Sequence, residues 1–595
     1  MKKNLVKFLF VIFGLLLLVS AAYITVDKVA AYKSVLGMNG ESFIALNRQS
    51  MRAAATNPEK NSSIYLLFTT NQQTHLMHRI RREGGISMQA TVKLFTAGGR
   101  KPADEAFEFG LLYAKEESAT GKEPPSAVAP GRNLVTGKLD QLPAGTTTFS
   151  LSICLADPQH MPAGFFMHCL FPYQISEVKF GDMQVGWDTG SAVPLYAFGA
   201  DGGELSDYAS GRADFSSAAS LFPSANTDGK VLPRISVGLK AAENIGTWDN
   251  QARLQFSYGG EELSVRRTKK QTGFTLQLSA LKSGYAALAC TNVAAVTRMM
   301  LEPNSSALAA GENGRALYPF VTDLGLIFEW PRSKWRTEDY ELYEWELAPH
   351  VLFFDFADYK IQSEFLTRLA YFVEKEGYRG TLVSDEFVAT QHGYNAHDYK
   401  ASDLAAFFTA ASRQHFSLNA RELLLKEILL ANKVIIDCKD GSYSGGKGAL
   451  ISISRESPDY LRRTLLAHES WHGIFFTNEA FRAEVSRLYD NFDSRSLDFL
   501  RIYFATQPGL NYDTNDSYLM RNEFMAYIIQ QPLSSIQKYF MDRTSWNSVL
   551  RNEPEEAAYV RNTEASAFVE AGRALNDYVF DNFGLAAGRV HLISR

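Results

Sequence analysis

The chain has 595 residues, 46% of them hydrophobic, which is enough for several cores and too long for one ordinary domain; about three or four domains are expected. A formal net charge of -5 without any long Lys/Arg cluster lacks the basic footprint that phosphate neutralisation requires, so nucleic acid is excluded as a partner. Cys154, Cys169, Cys290 and Cys438 show no CxxC or zinc-finger spacing, which excludes a disulfide scaffold and leaves either one Cys154–Cys169 bridge or buried thiols.

The N-terminus carries Lys2, Lys3 and Lys7 and then runs almost purely apolar from Phe8 to Val26. A basic segment ahead of a long apolar one is an export signal, so residues 1–30 read as a signal peptide cleaved after Ala21 or as an uncleaved membrane anchor. In either case the lysines stay cytoplasmic and the rest of the chain is translocated, to be secreted or held on the extracytoplasmic side. No Cys follows the run, which argues against a bacterial lipoprotein anchor.

From about residue 40 to 320 short alternating runs, such as Thr148-Phe149-Ser150-Leu151-Ser152-Ile153 and Phe274-Thr275-Leu276-Gln277-Leu278, stand between Gly, Ser and Thr turns. That pattern predicts two β-sandwich modules, 31–195 and 196–325, divided near the glycines at 199, 202 and 203. They serve either as spacers or, through surface aromatics, for glycan or cell-surface contact. After Pro331 the character changes. Val351-Leu352-Phe353-Phe354-Asp355-Phe356 reads as a buried strand, followed by an amphipathic helix from Gln362 to Glu376 stopped at Gly377 and a second strand near Gly380, giving an α/β module over 326–430. Within it His392-Gly393-Tyr394-Asn395-Ala396-His397-Asp398-Tyr399 is dense in reactive side chains. Two histidines five apart do not share a helix face, so this stretch reads as a loop, either structural or in contact with a second metal or substrate.

Val434-Ile435-Ile436-Asp437-Cys438 and Gly448-Ala449-Leu450-Ile451-Ser452-Ile453-Ser454 are strand-like about a glycine-rich turn, and the second leads, as an expected edge strand, into Ser457-Pro458-Asp459-Tyr460-Leu461-Arg462-Arg463-Thr464-Leu465-Leu466-Ala467-His468-Glu469-Ser470-Trp471-His472-Gly473. Ser457 suits an N-cap, Pro458 the first helical turn and Gly473 a stop. On that helix His468 and His472 project the same way with Glu469 beside them, the H-E-x-x-H arrangement of two nitrogen ligands and a carboxylate poised over water. Tetrahedral zinc still needs a third protein ligand. About fifty residues on, in Arg521-Asn522-Glu523-Phe524-Met525-Ala526-Tyr527-Ile528-Ile529, Glu523 heads an all-round apolar helix, where a carboxylate is costly unless bound to metal or paired with Arg521 or another cation.

H-E-x-x-H followed by a helical Asn-Glu-x-x-Ala resembles the gluzincin metallopeptidases over about residues 430–535, and Asn522-Glu523-Phe524 with a tyrosine upstream is loosely similar to the anthrax lethal factor type. The resemblance implies that 431–595 is a mostly α, zincin-like α+β catalytic domain. It implies one Zn²⁺ held by His468, His472 and Glu523, a polypeptide substrate, and hydrolysis through a zinc-activated water with Glu469 as general base. It also implies an oxyanion-stabilising tyrosine. Tyr518, at the start of the third-ligand helix, is expected in that role ahead of Tyr512 and Tyr527. Tyr527 stands where the thermolysin type has Asp. Two rival readings are a catalytically inactive zincin in a cell-surface binding protein and a cell-wall peptide hydrolase.

Overall fold

A computed structural model describes residues 252–308 and 315–595, apart from 392, 508, 509 and 511, together with most of 63–242 and three short strands N-terminal to these. The N-terminal apolar run lies outside the described residues. Among them no helix is long and apolar enough to cross a membrane. None of the four cysteines is in a disulfide.

The chain forms two units, one of residues 1–223, 235–238 and 285–303, the other of 224–234, 239–284 and 304–595. The fold is mixed α and β. In the first unit, alternation drives two layers: one sheet includes Ser63–Leu67, Gly164–His168, Ala106–Ala114 and Val128–Lys138, and the other includes Leu195–Phe198, Thr148–Leu155, Ile86–Leu94 and Tyr173–Gly181. Phe109 of the first sheet meets Phe198 of the second with ring centroids 5.6 Å apart, which places apolar faces inward as the period-two pattern requires. The stretch 196–325, expected as one further module, is instead divided between the two units. Its hairpin Arg253–Tyr258 to Glu261–Arg266 turns through Gly259 and Gly260, both at positive φ (55° and 86°), and the second strand pairs with Ile593–Ser594 at the end of the chain.

The second unit is built on a five-stranded sheet. Its strands are β1 (Phe320–Thr322), β2 (Tyr340–Trp345), β3 (Val351–Phe356), β4 (His397–Lys400) and β5 (Ala449–Ser454), in the order β1-β2-β3-β5-β4. β3 and β5 run parallel, Val351 opposite Ala449 and Phe356 opposite Ser454, so the stretches expected as separate modules on either side of residue 430 share one sheet. Every residue of both strands is buried, which is why they read as near-continuous apolar runs. β5 is therefore not the edge strand that was expected; β4 is, paired antiparallel to it with His397 opposite Ser452.

Helix α1 (Tyr359–Val373) starts where Asp358 accepts from the Ile361 N–H, and it packs with α2 (Ala401–Arg413) and α3 (Ala420–Ala431) over the apolar face of the sheet. The second strand expected near Gly380 does not form. Gly377 and Gly380 take positive φ in turns, and a short helix, Asp385–Val388, follows.

Candidate metal centre

β5 delivers the chain into α4 (Asp459–Thr477), with Pro458 rather than Ser457 in the capping position. The helix does not stop at Gly473 but runs one turn further. Gly473 is needed for packing, since a Cβ there would lie 2.9 Å from Val351 Cγ1 of β3. Held this close to the sheet, α4 buries His468, Glu469 and His472. A second helix, α5 (Ser517–Ile529), begins where Asp516 accepts from the N–H groups of Tyr518 and Leu519, and it is tied to α4 by the Trp471 indole N–H, which donates to the Ile529 carbonyl at 2.9 Å.

This docking brings Glu523 against the two histidines. His468 Nε2 lies 3.6 Å from Glu523 Oε2 and His472 Nε2 3.7 Å from Oε1. Two ligands on a tetrahedral ion with bonds of about 2.0 Å stand roughly 3.3 Å apart, so His468, His472 and Glu523 form a group that could hold a metal ion. The polar atoms agree with that fit. Both His472 nitrogens, Glu523 Oε2 and Glu469 Oε2 are buried without a hydrogen-bond partner, an arrangement that is costly unless something else satisfies them. Arg521, the cation weighed as a partner for Glu523, donates instead to Asp490 at 2.9 Å.

Protonation states favour metal binding as well. Burial pulls the His472 imidazole down to about 4, against the charge of Glu523, so the ring is neutral at pH 7 and offers a lone pair. His468 Nδ1 meets Gln530 Oε1 at 3.0 Å, and the Gln530 amide nitrogen donates to Tyr539 Oη at 2.7 Å. The glutamine oxygen therefore accepts from Nδ1–H, leaving Nε2, with its lone pair, facing Glu523. Burial pushes the Glu469 carboxyl well above the usual range, and the charges of Asp398, Glu523 and Glu374 push it further.

Several residues of the site were not singled out from the sequence. Asp398 is the first. Strand alternation turns Asp398 and Lys400 of β4 to one side and His397 and Tyr399 to the other. Asp398 Oδ2 lies 3.8 Å from His472 Nδ1 and accepts from the Asn522 amide at 3.3 Å, while burial lifts its carboxyl to about 6. His397 meets Gln362 at 2.9 Å away from the ligands, and His392 is outside the described residues. Of its described residues, the reactive-looking loop thus contributes Asp398 and not His397. The signal available was the alternation of His397-Asp398-Tyr399-Lys400. Gln530 and Glu374 carried no motif. Glu374 lines, with Asp398 and Glu523, a cavity of about 230 Å³.

The tyrosines separate. Tyr518 packs its ring on Phe475 and Phe476 beneath Lys400 Nζ, and the charges acting on its hydroxyl are those of Arg482, Asp403, Asp398 and Asp516. Tyr527 stands edge-on to the His468 ring, centroids 5.0 Å apart. Tyr512, in the loop before α5, is pushed well up by burial and then by the Glu523 charge. The Glu523 charge acts on the hydroxyls of Tyr512 and Tyr527, while Tyr518 lines the same cavity as Glu523.

No family model, curated protein or solved structure matches this chain.

Proposed function

We propose that the chain is a zinc-dependent peptidase, exported by its N-terminal apolar run, with His468, His472 and Glu523 as zinc ligands. One observation carries this reading: His468, His472 and Glu523 converge, with buried unpartnered atoms on His472 and Glu523, and an equally unsatisfied Glu469 stands beside them. Bound there, zinc supplies a Lewis acid that polarises a carbonyl and makes water more acidic.

The chain's own residues do the rest. His468, its Nδ1 held by Gln530, and His472, with the Asp398 carboxylate 3.8 Å from its Nδ1, would hold the ion through their Nε2 atoms. Glu469, held in a low-dielectric pocket that raises its proton affinity, takes a proton from the attacking water and returns it to the leaving amine. A tyrosine hydroxyl, that of Tyr512 being the first to test, would donate to the oxygen on which negative charge develops. The outer edge of β4 has no strand neighbour among the described residues, which suits an extended polypeptide laid beside the ligands. The test is zinc content and casein cleavage of the purified protein with and without chelator. A protein that holds no zinc, or that cuts casein equally well after chelation, removes this reading.

A further inference from the structure

A second cavity, of about 670 Å³, shares Lys400, Phe476 and Tyr518 with the one beside the ligands, and the two have opposite character. The first is lined by Glu374, Asp398, Asp403, Asp516 and Glu523 against Arg379 and Lys400, and Arg379 is already held by Asp513 at 3.1 Å and Asp516 at 2.9 Å. The second is lined by Lys400, Lys447, Arg482 and His350, and no carboxylate lines it. A concave site of this size, charged with one sign and open to solvent, concentrates the opposite charge.

The site is built rather than incidental. Its floor is the Gly445–Gly448 loop, pressed onto neighbouring backbone. A Cβ on Gly446 would lie 2.0 Å from the Lys433 carbonyl oxygen, and one on Gly448, at φ +113°, would lie 2.1 Å from that of His350. Only glycine fits at either position, and the loop that carries Lys447 is fixed as a result. Arg482 is anchored by donating to the carbonyls of Phe475 at 2.6 Å and Phe476 at 3.2 Å, at the end of α4, and neither it nor Lys447 is paired with a carboxylate among the described residues. Lys400 Nζ lies 4.0 Å over the Tyr518 ring, on the wall between the cavities, with Asp403 3.6 Å away.

We propose that this cavity is a substrate subsite for a carboxylate, either an Asp or Glu side chain or the C-terminal carboxylate of the peptide, held by Lys447, Lys400 and Arg482. The proposal rests on the peptidase reading and adds to it a charge preference. The wall shared with the ligand cavity places the carboxylate within a few residues of the scissile bond.

The experiment starts from the casein bond that the zinc-loaded wild-type chain cuts fastest. A peptide spanning that bond is made with Glu or Gln in turn at each position on either side, with a free or an amidated C-terminus. Its affinity for the full-length, zinc-loaded Glu469→Gln protein is measured by titration calorimetry. Glu at one position, or the free terminus, is expected to lower Kd about tenfold relative to its uncharged counterpart, as one charge-assisted contact at a half-exposed site allows. The arm that responds identifies the source of the carboxylate. Adding Lys447→Glu should abolish or invert the difference and Lys447→Arg should keep it. Equal affinities across the whole series in a protein that does bind the peptides overturn the subsite alone. Cleavage of no casein bond overturns the peptidase reading and the subsite with it.

Discussion

Helix α4 has a buried charged cluster near each end, and the two are solved in opposite ways. Near its start, the fully buried Asp355 of β3 accepts from Arg455 Nε at 2.7 Å and from Arg462 Nη2 at 3.1 Å. Arg455 also donates to the carbonyls of Ile327, Phe328 and Trp330. Burial raises the Asp355 carboxyl and the two guanidiniums pull it back. Two turns further on, Glu469 and Glu523 are buried beside the half-buried Asp398, and among the described residues no arginine or lysine pairs with any of them. Their nearest basic groups are two imidazoles, and burial holds that of His472 neutral. A buried carboxylate cluster is tolerable when cations answer it. The first cluster draws its cations from the chain; the second, on the function proposed above, would take one from outside.

The comparison can be broken most sharply at Glu469. Glu469→Gln should keep zinc bound and the fold intact while lowering peptidase activity by about 1,000-fold, because the amide neither takes nor returns a proton. Activity within about tenfold of wild type would remove Glu469 from the mechanism. At the other cluster, Arg462→Met leaves Asp355 with a single guanidinium. It should cost about 3 kcal/mol of stability in denaturant unfolding without changing zinc stoichiometry. A variant that instead loses zinc would show that the two clusters are not independent.

Asp398→Asn probes the outer partner of His472. Zinc affinity in a chelator competition should fall about 10- to 100-fold with the fold unchanged, and an unaltered affinity would reduce Asp398 to a bystander. For the oxyanion donor, Tyr512→Phe should lower kcat about tenfold or more with little change in KM or zinc content, whereas Tyr518→Phe should lower it less. The opposite ranking would return the role to Tyr518.

The smallest expected effect is a pH dependence of the metal-free protein. The Glu469 carboxyl is raised on folding, so the folded chain binds more protons than the unfolded one, and stability is lost as pH rises towards the folded value. His472 works in the opposite sense, but only between about 4 and its unfolded value near 6.5, above which the ring is neutral in both states. Between pH 6.5 and 8.5, therefore, chelated wild type should lose a few degrees of melting temperature. Chelated Glu469→Gln should lose less. Equal slopes for the two would mean that Glu469 is ionised without cost in the absence of metal.

Local chemistry was legible because it is written at short range. His468, Glu469 and His472 share a face as soon as α4 is a helix, and the apolar runs at 351–356 and 449–454 announce buried strands. Other expectations failed where local signals had more than one physical cause. Gly473 reads as a helix stop, yet it is glycine because α4 lies against Val351. Gly380 reads as the approach to a strand, yet it turns the chain into a short helix. The strand before α4 reads as an edge, yet β4 returns from earlier in the chain to cover it.

By itself the sequence determined that His468 and His472 share a helix face with Glu469 beside them and that Glu523 is a buried acid, since helical periodicity and apolar patterning act through neighbours in the chain. The tertiary structure alone decided the rest. It set the spacing of Glu523 against both histidines, brought in Asp398 and Gln530 as their outer partners, sorted the tyrosines and divided the cavities into acidic and basic sides. All of these depend on contacts between residues tens to more than a hundred positions apart, which sheet order and helix docking create and local pattern does not encode.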